Sequence, residues 1–186
     1  MISMHQAERI LLSFAGIAAE HEQRFLERLR QLRRFGVPSG VPRGRGVASG
    51  RTFEQMIETA LAIRLLDAGL ASSDVARLVR QEWVLARSVM MLLDPSLATT
   101  KWPDGPPVAA YWIASPAGLS SYRSSADDAD AHLRLETHLL FGTDSLEDAL
   151  AQFRNNGAHV AVVLNAVDIV NDLAIAYEGC GVRSHE

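Results

Sequence analysis

Cysteine is almost missing from this chain of 186 residues: Cys180 has no second cysteine to pair with, which excludes a disulfide-stapled secreted scaffold. Long apolar runs are missing as well. The longest nearly uncharged ones, residues 10–19 and 160–167, fall well short of the roughly 20 residues that a membrane helix needs. No basic stretch precedes the first of them, so a soluble, cytoplasmic protein without membrane contact is expected. Signatures of catalysis are equally scarce. No Gly-Lys-Ser/Thr phosphate loop and no His-Glu-x-x-His zinc motif occurs, and the Gly44-x-Gly46 pair lacks the spacing of a dinucleotide fingerprint. Cys180 lies between two glycines without a placed base, which gives a nucleophile no support. His132 and His138 share one strand face but lack a third ligand, and the Asp127, Asp128 and Asp130 cluster lacks the Gly and Glu of a calcium loop. No enzyme, cofactor or metal is expected.

What is present is an ordinary globular composition, 48% apolar and 22% charged. A chain of this length can bury roughly 70% of its unfolded surface, enough for a core without disulfides or a structural metal. The net charge of −4 conceals two opposed halves. Residues 1–51 hold nine Arg against four Glu, a balance of +5, and the remainder holds nine cations against eighteen acids, a balance of −9. Within residues 24–51 there are eight Arg, no Lys and one acid, Glu27, whereas seven acids crowd residues 127–148 against Arg134 alone.

Periodicity places a short helix in residues 3–19, interrupted near Gly16, and a second over about 21–34 with Phe25, Leu26, Leu29 and Leu32 on one stripe and arginines opposite. Residues 36–50 hold five Gly and two Pro, which predicts a loop or tight hairpin. Thr52-Phe53-Glu54-Gln55 has the spacing of a capping box, so a helix is expected from there to Gly69. Ser72 or Ser73 caps the next one, which should run from Asp74 to about Leu93 and stop before Pro95. Beyond a Pro-rich linker at 94–107 come strands near 108–113, 132–141 and 159–164. Asp144-Ser145-Leu146-Glu147 opens a short helix that ends near Asn155, and a final helix covers 167–177. The expected fold class is α+β, mostly α, with one domain over 1–93 and a small α+β domain over 108–186.

A cationic helix, a Gly/Arg loop and two capped helices in succession suit duplex DNA. A helix fits the major groove, and the planar guanidinium fork grips a phosphate or a guanine edge with two hydrogen bonds where Lys supplies a point charge. Over residues 5–93 the chain resembles the MerR-like winged helix-turn-helix regulators. The residues that carry the resemblance are Ser49-Gly50-Arg51-Thr52-Phe53 at the end of the wing, and residues 60–70 followed by Ser72-Ser73-Asp74-Val75-Ala76 in the paired helices. The resemblance implies a recognition helix at about 21–34, with Gln23, Arg24 and Arg28 reaching base edges and Arg30 and Arg34 beside them. It implies phosphate contacts for Arg43, Arg45 and Arg51. It does not extend to metal sensing, because the only cysteine is Cys180.

The plainer reading of an arginine run is a solvated helix face. A protein-interaction adaptor, its Arg-rich face binding an acidic partner without DNA, is therefore the alternative. RNA fits less well, since readers of single strands expose aromatics for stacking and Phe25 and Phe35 read as core, like Trp83 and Trp112. A homodimer is expected, because one short helix reads few base pairs. Its surface would be either the helix bearing Trp83 and residues 90–93 or the C-terminal domain, which is also the place for a protein partner or a small effector.

Overall fold

The structure, a computed structural model, describes residues 2–41, 50–86, 109–115, 134–140, 144–155 and 161–181. Expectations for the tip of the Gly/Arg loop, for residues 87–107, for the Asp127, Asp128 and Asp130 cluster and for His132 lie outside these residues. The elements follow in the order α1 (Met4–Phe14), a single 3-10 turn (Ala19–His21), α2 (Glu22–Phe35), α3 (Phe53–Asp67), α4 (Ser72–Ala86), β1 (Ala109–Ser115), β2 (Arg134–Leu140), α5 (Leu146–Asn155), β3 (Val162–Asn165) and α6 (Ala166–Gly179). The chain is mostly helical with a small antiparallel sheet, in keeping with the expected class.

Local chemistry accounts for most boundaries. Ser3 and Gln6 form a reciprocal capping box on α1, and Thr52 and Gln55 form one on α3, as the Thr-x-x-Gln spacing predicts. Helix α2 ends at Gly36, whose φ of 93° is the left-handed conformation that an L side chain resists. Ser145 Oγ accepts from the Asp148 N–H at 3.1 Å and so caps α5. Asn165 caps α6 through its side-chain oxygen, which accepts from Val167 and Asp168. Helix α4 departs from expectation: Ser72 is its first residue rather than its cap, and the Ser72 hydroxyl donates instead to Gln31 Oε1 at 3.4 Å.

The sheet order is β2-β1-β3, with Trp112 of β1 opposite Thr137 on one side and Leu164 on the other. Alternation sends Ala110, Trp112 and Ala114 to one face and Ile113 to the other. Ile113 and Leu140 pack with Ala149 and Phe153 of α5 in a small cluster. The opposite face joins the main core with Ile10, Leu32, Ile57, Leu61, Val79 and Leu173. Residues from both sides of the 94–107 segment, which was expected to separate two domains, thus contribute to one continuous core. Helix α6 packs on α1 and α3, and α4 packs on β2.

Helix α3 runs through the middle of this core. Glu58, Thr59, Ala62 and Ile63 are buried alongside Met56, Ile57, Ala60 and Leu61, so burial extends around most of the helix. Phe53 is 38% exposed and meets Tyr177 of α6 edge-on, ring centroids 6.0 Å apart. Trp83 also packs inward at 7% exposure. Among the described residues no helix is long and apolar enough to cross a membrane.

Candidate nucleic-acid interface

Helix α2 is built on a polar sequence with one apolar stripe. Phe25, Leu29 and Leu32 recur at intervals of four and three and are buried, and full burial of a leucine contributes about 1.5–3 kcal/mol. The stripe fixes which way everything else points. At about 100° per residue, Gln23, Arg30 and Arg34 lie opposite the stripe and Arg24 and Arg28 along one flank of it, and all five are exposed. Arg30 pairs with Glu27, one turn away on the same face. Glu22 in the first turn and Arg33 and Arg34 in the last complement the helix dipole.

Arg33 lies apart from these five. Its guanidinium reaches across to α1, with Nη2 3.7 Å from Glu8 Oε1 and Nη1 3.6 Å from Met4 Sδ. Burial lowers its basicity, and Glu8 offsets part of that loss. On the other flank Gln31 meets Ser72, and Arg80 Nη1 donates to the Phe35 carbonyl at 3.4 Å. Arg80 is an exposed cation beside the end of α2. The sequence reading missed it because it sits 45 residues away from Phe35 on another helix. Phe35 itself, read as core, is 38% exposed.

The residues expected to hold phosphate divide. Arg43 and Arg45 fall outside the described residues. Arg51 lies in the interior at 4% exposure, where a phosphate does not reach it without rearrangement. The Ile2 N–H donates to the Arg51 carbonyl at 2.9 Å and the Arg51 N–H to the Ile2 carbonyl at 2.7 Å, a single antiparallel pair that ties the end of the Gly/Arg loop to the start of α1. Burial is the main cause of the lowered basicity of Arg51; Arg33 lowers it further and Glu8 raises it.

The beginning of the same loop is tied to α3. Glu58 has no exposure, and Ser39 donates its backbone N–H and its hydroxyl to the carboxylate. Gln55 Nε2 donates to the Ser39 carbonyl at 3.0 Å. Neither Ser39 nor Glu58 was singled out in the sequence, where a glutamate in mid-helix reads as solvated.

Elsewhere, His138 Nε2 lies 3.2 Å from Glu136 on β2. Among the described residues no group of three or more His, Cys, Asp or Glu is placed to hold a metal ion. Comparison with family models, with curated proteins and with solved structures gives no match.

Proposed function

We propose that this protein is a sequence-specific, duplex-DNA-binding transcriptional regulator whose helix α2 enters the major groove. The observation that carries the reading is the exposure of Gln23, Arg24, Arg28, Arg30 and Arg34 together on one arc of a helix whose other face is packed in the core. That arc offers forked donors for base edges and phosphates on a single rigid rod of about 21 Å. Arg80 extends the cationic surface beyond the end of α2.

The order α1, α2, Gly/Arg loop, α3, α4 supports a MerR-like winged helix-turn-helix arrangement, with both ends of the loop held to the helical body. Arg43 and Arg45 would then grip the flanking backbone or the minor groove. Such a regulator works as a homodimer, since two α2 helices on a two-fold site double the contacts.

Selection of sites from random duplex DNA, followed by anisotropy on the enriched site and on a scrambled control at two salt concentrations, tests the proposal. An enriched motif with two-fold symmetry is expected. Binding without enrichment would mean a nonspecific role. Absence of binding at low salt would favour an adaptor that offers the Arg face to an acidic protein.

A further inference from the structure

The flank of α2 that carries Arg24 and Arg28 continues to the end of the helix. Arg24, Arg28, Gln31 and Phe35 are spaced by four, three and four residues, which at about 100° per residue sets them on one line, and all four are exposed. We propose that Phe35 reads a thymine through its 5-methyl group, about three base pairs beyond the base read by Arg28. The proposal rests on the DNA-binding reading and adds to it one residue and one base.

Phe35 is 38% exposed at the end of a cationic helix, next to the exposed Arg34 and with the exposed Arg80 on its carbonyl. The exposed ring of Phe53 leans on Tyr177, whereas the ring of Phe35 makes no aromatic or cation-π contact among the described residues. Apolar surface of this kind gains free energy when a partner removes it from water. The backbone that carries the ring is held from several sides. The Gly36 N–H donates to the Arg33 carbonyl and the Val37 N–H to the Leu32 carbonyl, each at 3.0 Å, and Val37 is fully buried. Arg80 Nη1 donates to the Phe35 carbonyl at 3.4 Å. Little backbone order is then left to acquire on binding.

Groove chemistry selects the base. Each base pair presents hydrogen-bond donors and acceptors on its major-groove edge, and thymine adds an apolar group, its methyl. A phenyl ring has no hydrogen bond to offer a phosphate or a polar base edge, so the methyl is the group it can distinguish. Helix geometry sets the register. Seven residues at about 1.5 Å each carry the line from Arg28 to Phe35 by about 10 Å, and base pairs are stacked about 3.4 Å apart. Midway, the Ser72 hydroxyl donates to Gln31 Oε1 at 3.4 Å and ties the line to α4.

Anisotropy on the duplex enriched by selection, with each thymine replaced in turn by uracil, tests the assignment on the unmodified protein. Uracil keeps the base pairing and loses only the methyl. One thymine in each half-site, about three base pairs from the position that Arg28→Ala relaxes, is expected to lose about fourfold in affinity on replacement, the worth of one buried CH₂-sized group. Phe35→Ala is expected to bind the thymine and uracil duplexes equally. Indifference of the natural protein to every replacement, a sensitive thymine only at another distance, or a uracil penalty that Phe35→Ala retains in full would each overturn the proposal and leave the DNA-binding reading in place. Binding without an enriched site, or no binding at low salt, would remove that reading and the proposal with it.

Discussion

Glu58 and Ser39 form a closed unit: the Ser39 N–H donates to both oxygens of the buried carboxylate at 2.8 Å, and its hydroxyl donates to Oε2 at 2.9 Å. Three short donations to one carboxylate join the segment that follows α2 to the centre of α3, 19 residues further along.

This unit makes stability depend on pH. Burial raises the Glu58 carboxyl above its ordinary value of 4.5, the bonds from Ser39 offset part of the rise, and Glu54 adds to it. The folded protein therefore holds this proton more tightly than the unfolded one. Between 4.5 and the raised native value the native state binds more protons, and stability falls as pH rises through that interval. In urea unfolding at a series of pH values, the stability of the natural protein relative to Glu58→Gln is expected to decline from pH 4.5 upward and then level off. A difference that stays flat would assign Glu58 an ordinary titration.

Exposed and buried arginines should part company in DNA binding. Arg34→Ala, at an exposed position beside the base-reading residues, is expected to reduce the slope of log affinity against log salt by about 1, the signature of one lost phosphate contact. Arg28→Ala is expected to remove about 1–3 kcal/mol on the preferred site and less on a scrambled one, as a base contact would. Arg51→Ala, at a position only 4% exposed, is expected to lower stability in urea and leave the salt slope unchanged. Anisotropy over a salt series checks all three, and a slope altered by Arg51→Ala would return that residue to the interface.

The start of α3 is a separate point of leverage. Thr52 Oγ1 accepts from the Gln55 N–H and Gln55 Oε1 accepts from the Thr52 N–H, each at 3.2 Å. Thr52→Ala is expected to lower stability by about 1 kcal/mol, the usual loss for a removed N-cap. An unchanged unfolding midpoint would take the box out of the account of α3.

Cooperativity follows from the shared core. Leu173 of α6 is fully buried in the cluster that also holds Ile10, Leu32 and Leu61. Leu173→Ala is expected to cost about 2–5 kcal/mol. Tryptophan fluorescence, which reports on Trp83, Trp102 and Trp112, and far-ultraviolet circular dichroism should still give one coincident transition. Two resolved transitions would divide the chain into independently folding parts.

Elements governed by neighbours in sequence were legible in advance. The Thr52 cap and the stripe of Phe25, Leu29 and Leu32 are local rules, and α2, α3, α5, α6 and the strands lie close to their expected positions. Residues whose role depends on distant partners were not. Glu58 carries charge and so reads as solvated, and Arg51 was expected on phosphate, yet the first meets Ser39 and the second is buried and pairs through its backbone with Ile2. Phe35 read as core by its chemistry, but it is the last residue of α2 and is 38% exposed there. Apolar spacing shows which face of α6 is buried. It does not show that the face packs against α1 and α3 instead of closing a second domain.

The candidate interface itself was half legible. The same stripe that buries Leu29 sets Arg24 and Arg28 outward, so the exposed arc follows from spacing alone. The inward turn of Arg33 depends on Glu8 and Met4 of another helix, which no local pattern encodes.

Helix α2 is held on one flank by Arg33 against α1 and on the other by the Gln31–Ser72 and Phe35–Arg80 contacts with α4. A macromolecule arriving at its outer arc meets a rod already wound and already aimed. Recognition then immobilises arginine side chains without nucleating a helix, so the heat-capacity change of complex formation should scale with the contact area and carry no folding contribution from α2.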